Sequence, residues 1–378
     1  MSADVDNLDM VEVRPTMSKT DALLACAWRW GRKAPRDPGG EPARFGTACH
    51  EVYAAIASSS LDGKELRAAC VAAADRQKVD WKEVYGLVTA SWPAFEKWMS
   101  RGNPWKKDFL DAGMLKLEYS VAYDVLKGKA RECESPDEAT HEYRDCDFNE
   151  LPGTADIVMW RRNEYLVVLD YKTGADVPEP SQSGQMKSLA LALSLMYKAP
   201  LVIVGLMHAP RSAGGLPSVY ADTLTEKDLR AHRAALKDAW LRRGTSMTPG
   251  QYCQYCPCLT TCPTQSSMLV ELKRGSQGLA LTPERVGAIH MALAQYDALK
   301  EQLQAQLKSW VVKNGPAPRP DGKLLDIVER QYETLSKSSV TKALGEVEGA
   351  KELERLRKKG CLVTSTREEL RAEAEKMR

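Results

Sequence analysis

The sequence predicts an α/β protein whose central sheet is led by antiparallel pairing, set between a helical N-terminal region and a helical, charged C-terminal one. Three stretches predict it. "MLKLEYSVAYDV" (114–125) alternates apolar and polar residues, "LPGTADIVMWRRNEYLVVLDYK" (151–172) reads as a hairpin around a polar Arg-Arg-Asn turn, and "SGQMKSLALALSLMYK" (183–198) has the length of a packed helix.

Taken in order, residues 17–33 read as a helix with Ser18 as cap, Leu23, Leu24 and Ala27 as its apolar face, and Cys26 on it. A Pro/Gly-rich loop (34–42) leads to a second helix opened by Gly-Thr in "FGTACHEVYAAIASSS", and amphipathic helices continue to about residue 100. In 114–125, Leu115, Leu117, Tyr119 and Val121 should share one face of a strand and Lys116, Glu118 and Ser120 the other. A polar segment (127–150) precedes the hairpin. After the 183–198 helix, "LVIVGLMHAP" reads as a buried strand with "SVYADTLT" as its partner, and 226–245 as a helix. Residues 281–311 read as a clean amphipathic helix and 322–344 as a short strand before another helix. The charged end is a solvated face or a helix that binds a protein partner. This divides the chain into a helical region (1–110), a core (111–245), a Cys-rich segment (246–270) and a C-terminal extension (271–378).

The formal net charge of +2 gives no global case for nucleic acid, so any such surface must be local. "WRWGRKAPR" (28–36) interleaves Trp with Arg in a way that could stack bases and hold phosphates, and Arg161 and Arg162 add charge; a solvated loop explains both equally well. No apolar run is long enough to span a bilayer, and the start is acidic and polar, so the expectation is a cytoplasmic protein without membrane contact. The ten cysteines are scattered singly except in "CQYCPCLTTC" (253–262), and such a cluster in a reducing compartment points to metal.

The hairpin carries the chemistry. Asp170 and Lys172 fall on one face with Leu166 and Val168, and Val167, Leu169 and Tyr171 on the other. That is either an edge ion pair or a site. Asp156, on the adjacent strand, can converge with Asp170, and paired carboxylates suit a magnesium- or manganese-type cation, which takes oxygen ligands. Glu118 could join as a ligand or remain an exposed strand residue.

On these residues the chain resembles the RecB-like branch of the PD-(D/E)XK nucleases. "GTACH" ending in His50 matches its Gly-x-x-x-His helix, "GTAD" ending in Asp156 its Gly-x-x-Asp, "DYK" its Asp-x-Lys, and Gln185 stands on the next helix. Leu189 departs from the Tyr usual four positions after that Gln. The resemblance implies a restriction-endonuclease-like core, a mixed sheet flanked by helices. It further implies a DNA exonuclease acting on single-stranded or frayed ends, using Asp156, Asp170, Lys172, His50 and Gln185. Magnesium or manganese would be held by His50, Asp156, Asp170, the Tyr171 carbonyl and Glu118. Cys253, Cys256 and Cys262 match the Cys-x2-Cys-x5-Cys of the subset that holds a 4Fe-4S cluster, with Cys26 as the upstream ligand; AddB-type subunits and CRISPR-associated exonucleases belong to that subset. The alternative is zinc on Cys253, Cys256, Cys258 and Cys262. Similar proteins are common in phages, which would place the chain in a bacterial host cytosol. A nucleic-acid-binding or assembly protein that keeps the fold without activity is the alternative function.

Overall fold

The computed structural model describes residues 10–35, 40–59, 61–100, 114–136, 143–174, 177–211, 215–248, 250–264, 282–318, 324–325 and 344–358. Residues up to Leu307 form one compact unit and those from Lys308 a second.

In the first unit a short strand β1 (Met10–Glu12) pairs antiparallel with β2 (Lys33–Pro35), and the helix between them, α1 (Thr20–Ala25), is preceded by a 3-10 turn at Met17–Lys19. The sequence expectation of a helix to residue 33 is therefore corrected. The helix stops at Ala25, and Cys26 is its extended C-cap, because Trp28 and Trp30 turn inward and are buried. Three helices follow: α2 (Glu41–Ser58), α3 (Gly63–Gln77) and α4 (Trp81–Ser100). α2 begins at Gly40–Glu41 rather than at Gly46-Thr47. Gly46 lies inside it, where a Cβ would come 3.1 Å from Thr173 Oγ1, so its use is close approach to the sheet end.

The central sheet has six strands in the order β4-β3-β5-β6-β7-β8, from β3 (Leu115–Asp124), β4 (Lys129–Glu132), β5 (Glu150–Arg161), β6 (Tyr165–Lys172), β7 (Leu201–His208) and β8 (Ser218–Leu224). Neighbours pair antiparallel except β6 and β7, which are parallel and joined through α5 (Gly184–Tyr197). α6 (Glu226–Leu241) follows β8. The fold is mixed α/β with the sheet flanked by helices, as the sequence predicts. β4, inside the segment read as polar connection, is an edge strand whose Lys-Ala-Arg-Glu composition gives no apolar alternation.

Two apolar layers cover the sheet. Leu166 and Val168 of β6 join Leu189 and Leu193 of α5 on one face, while Val167, Leu169 and Tyr171 pack with Phe45, Val52 and Tyr53 of α2 on the other. β6 thus alternates as expected, and both of its faces are buried. β3 does not. Leu115 and Leu117 face the α2 side, but Tyr119, Val121 and Tyr123 face the α5 side. The inversion sits at Glu118, which has φ +47, a left-handed conformation that costs a non-glycine residue roughly 1–3 kcal/mol. β5 inverts opposite it: Leu151 and Ala155 face α5, whereas Ile157 and Met159 face α2. The ladder skips the Glu118/Asp156 pair while keeping register on either side.

The α5-side layer is tight at Gly153, where a Cβ would meet Met17 Cβ at 2.6 Å. Gly153→Ala is expected to destabilise the protein by about 1–3 kcal/mol through overpacking. Urea unfolding measures it; an unchanged midpoint would show that the Met17 segment yields freely.

α7 (Pro283–Asn314) begins in the first unit, where Gln295 and Gln302 donate to the carbonyls of Gly250 and Cys256 at 3.1 and 2.7 Å. It is not cleanly amphipathic: Met291, Leu293, Tyr296 and Leu303 are all exposed. In the second unit, Leu324–Leu325 form a short strand with Ala317–Pro318, and α8 (Glu346–Lys358) carries the charged sequence. The helix expected within 326–343 and the end beyond 358 lie outside the described residues. No helix among the described residues is long and apolar enough to cross a membrane.

Candidate active site and cysteine cavity

The hairpin β5–β6 is paired from Arg161–Tyr165 to Ile157–Leu169, and beyond that pair the strands part. Asp156 and Asp170 would be the next partners. Instead of a ladder bond, Asp156 Oδ2 accepts the Tyr171 amide proton at 2.5 Å. The fork puts Asp156 between the two sheet faces, so that groups from both can reach it. From the α2 side comes His50, whose Nδ1 lies 3.3 Å from Asp156 Oδ1. From β3 comes Glu118, turned to the same opening by its left-handed backbone. Ligand atoms of His50, Glu118 and Asp156 all lie within 4.8 Å of one another.

On the α5 side Asp170, 2% exposed, closes a ring with two neighbours. Lys172 Nζ is 2.5 Å from Asp170 Oδ2 and donates to Gln185 Oε1 at 3.1 Å, and Gln185 Nε2 donates to Asp170 Oδ1 at 2.7 Å. Gln185 is the second residue of α5, and a residue not singled out by sequence fixes that helix start: both carboxylate oxygens of Asp21 accept from Gly184 N, at 3.1 and 3.0 Å. Asp21 reads in sequence as an ordinary first-turn acid of α1, so nothing marked it. Leu189 is fully buried against the sheet.

The electrostatics are those of a dense cluster of charges. Burial opposes protonation of His50, but the charge and hydrogen bond of Asp156, with Asp170 behind it, outweigh burial and raise its pKa to about 9. Desolvation by the surrounding walls, reinforced by the Asp156 charge, lifts Glu118 to about 8, although the residue is open to solvent on one side. Burial lifts the Asp170 carboxyl against the pull of Lys172, whereas Asp156 is held low because His50 and the Tyr171 amide outweigh its burial. The residues expected from sequence thus fall into two adjoining groups, His50, Glu118 and Asp156 in one and Asp170, Lys172 and Gln185 in the other. Tyr171 offers Asp156 its amide proton, while its ring stacks on Tyr53 in the opposite layer at 4.4 Å.

A family model described as "PD-(D/E)XK nuclease superfamily" matches residues 14–263. The chain belongs to the PD-(D/E)XK nuclease superfamily. The match takes in the helix of His50, both arms of the fork and α5, and it makes a metal-dependent nuclease acting on nucleic acid the activity this fold carries. No curated protein matches the chain. Five solved chains do; one, titled "Crystal structure of SSO0001", is 14% identical over 60% of this chain and 97% of its own, with a TM-score of 0.26.

Within this PD-(D/E)XK chain the Cys-rich segment forms two 3-10 turns (Gln251–Tyr255 and Leu259–Thr261) against Trp28 and Ala34. A cavity of about 260 Å³ opens there, lined by Cys26, Cys253, Cys256 and Cys262, together with Arg29 and Trp28. Cys258 does not line it; its thiol is buried and directed at the Arg29 carbonyl, 3.9 Å away. Arg29 is itself buried, with its Nε lacking a hydrogen-bond partner among the described residues. The "WRWGRK" stretch is therefore not a base-stacking loop. Trp28 and Trp30 are covered, each with an Arg over its ring, Arg32 at 4.1 Å and Arg29 at 4.4 Å. Arg161 and Arg162 are exposed at the far turn of the hairpin, at the opposite end of β5 from Leu151.

Proposed function

We propose that the protein is a RecB-like deoxyribonuclease that hydrolyses phosphodiester bonds at single-stranded or frayed DNA ends. The observation that carries the reading is the fork: His50, Glu118 and Asp156 gathered on one side and the Asp170–Lys172–Gln185 ring on the other. The donor set fits magnesium or manganese, because it is made of carboxylates with one imidazole and no thiolate. His50, Asp156, Asp170, Glu118 and the Tyr171 carbonyl would hold the ion. It supplies Lewis-acid charge and a water acidic enough to attack at neutral pH. Lys172 stays cationic, since Asp170 outweighs the effect of burial, and it can donate to the attacking water or to the charge developing on the phosphate. Gln185 orients both members of that pair. Incubating the protein with end-labelled single- and double-stranded DNA, with and without manganese, tests the reading; an inert protein that still binds DNA would support a silent scaffold instead.

In the metal-free protein, protons occupy His50 below about 9 and Glu118 below about 8, so a cation must displace them. The sign follows. His50 has a raised pKa, so its bond to Asp156 favours the metal-free fold fully below about 6.5 and is lost as pH rises through about 9. Manganese affinity is therefore expected to rise by about tenfold or more between pH 6.5 and 8.5. A manganese titration followed by electron paramagnetic resonance measures this; a flat or falling profile would remove His50 and Glu118 from the ligand set.

We further propose a 4Fe-4S cluster on Cys26, Cys253, Cys256 and Cys262. What supports it is that these four thiols, and not Cys258, surround the cavity. Four thiolates on a single zinc would have sulfurs about 3.8 Å apart, given a zinc–sulfur bond of about 2.3 Å. Among the described residues neither these four cysteines nor Cys253, Cys256, Cys258 and Cys262 make such a group within 4.8 Å. A cluster has the wider spacing, and the Arg29 guanidinium supplies compensating charge.

A further inference from the structure

A second group of metal-binding side chains stands where the connection between β4 and β5 closes. Cys133 follows β4, Asp145 and Cys146 precede β5, and one ligand atom from each lies within 4.8 Å of the other two. The three are half-buried, which is unusual company for two thiols and a carboxylate serving only packing. Arg131 holds Asp145 Oδ2 at 2.9 Å and reaches Glu150 with its other nitrogens, leaving Asp145 Oδ1 toward the thiols, 3.6 Å from Cys146 Sγ. Such an outer partner is how a ligating carboxylate is aimed.

We propose that Cys133, Asp145 and Cys146 bind a divalent cation of the zinc type, with a fourth position left to water. Two thiolates and a carboxylate are the donors such an ion takes. A disulfide between the two cysteines would leave unused the Asp145 oxygen that stands 3.6 Å from Cys146 Sγ while Arg131 holds its other oxygen, whereas a cation takes all three donors.

The position gives the ion a purpose. Cys133 N donates to Ser120 O at 3.1 Å, Tyr143 and Thr154 hydroxyls meet at 2.9 Å, and Thr154 and Ser120 hydroxyls at 2.7 Å. Ser120 and Thr154 stand two residues from Glu118 and Asp156, on the strands that both invert there. The bound ion staples the connection to that irregular pair and braces the wall of the fork without touching it.

The test is metal analysis of the full chain, with cobalt as a spectroscopic probe. Purified protein is expected to carry about one zinc per chain, and chelator-stripped protein to bind cobalt with thiolate charge-transfer absorbance. The Cys133→Ser/Cys146→Ser double variant should lose that zinc while keeping whatever Cys26, Cys253, Cys256 and Cys262 hold. Asp145→Asn, which leaves both thiols, should shift the cobalt spectrum and weaken binding by about tenfold or more. A zinc content no lower in the double variant than in the wild type, a cobalt spectrum indifferent to Asp145→Asn, or a Cys133–Cys146 disulfide in peptides from protein alkylated before digestion would each overturn the proposal.

Discussion

Asp170→Asn is expected to slow manganese-dependent DNA cleavage by about a thousandfold or more, on the order of 4 kcal/mol of transition-state stabilisation. The substitution keeps the shape and an oxygen to accept from Gln185 Nε2, now at 2.7 Å from Asp170 Oδ1, and removes the charge together with the Oδ2 acceptor that faces Lys172 Nζ at 2.5 Å. That charge is carried by a nearly fully buried carboxylate at the fork, so no water can replace it. Lys172→Ala makes the complementary measurement. It leaves the oxygens and His50 in place, so manganese affinity should be retained while the rate falls. If affinity and rate fell together, Lys172 would serve as the structural counter-ion of Asp170; if Asp170→Asn cleaved normally, the fork would not be the active site. Circular dichroism and the thermal midpoint of each variant separate these outcomes from unfolding.

The faces of β6 were legible because its backbone is regular, and a period of two then assigns Asp170 and Lys172 to the α5 side without further information. The same rule fails on β3. A left-handed Glu118 leaves no mark in sequence, since that conformation is ordinarily signalled by Gly or Asn, and so alternation puts Tyr119 and Val121 on one face with Leu115 and Leu117, where the structure divides them between two. The failure falls where two strands invert to point carboxylates at one opening, which is where local rules are expected to yield to function. "WRWGRK" failed differently. Its charges suggest a solvated or DNA-facing loop, but Arg29 and Trp28 are buried in the wall of the cysteine cavity and Trp30 in the core of the sheet, so composition alone does not tell a wall from a surface. Gly46 misplaced the start of α2 because a glycine needed for contact with Thr173 looks, in sequence, like a helix boundary.

Cys26→Ser is expected to have the largest effect on stability. The wild-type protein purified without oxygen should be brown, with broad absorbance near about 400 nm and about four irons per chain, and the variant should be bleached. Cys26 caps α1, which packs against α5 and α6, while its three partners lie in the segment held by α7 through Gln295 and Gln302. A cluster on these four ligands therefore closes a loop through the whole α/β core, and losing a crosslink of such span costs on the order of 5 kcal/mol of unfolded-state constraint. For a unit of this size that is a fall in thermal midpoint on the order of 10 °C. Cys258→Ser makes the contrast, because that thiol faces the Arg29 carbonyl and a hydroxyl can do the same, so the colour should survive. Zinc on the four downstream cysteines requires the reverse: Cys26→Ser nearly silent, Cys258→Ser damaging, zinc present and iron absent. The two variants with an elemental assay thus decide which thiols belong to the cavity, and the assignment of Arg29 as their compensating charge stands or falls with them.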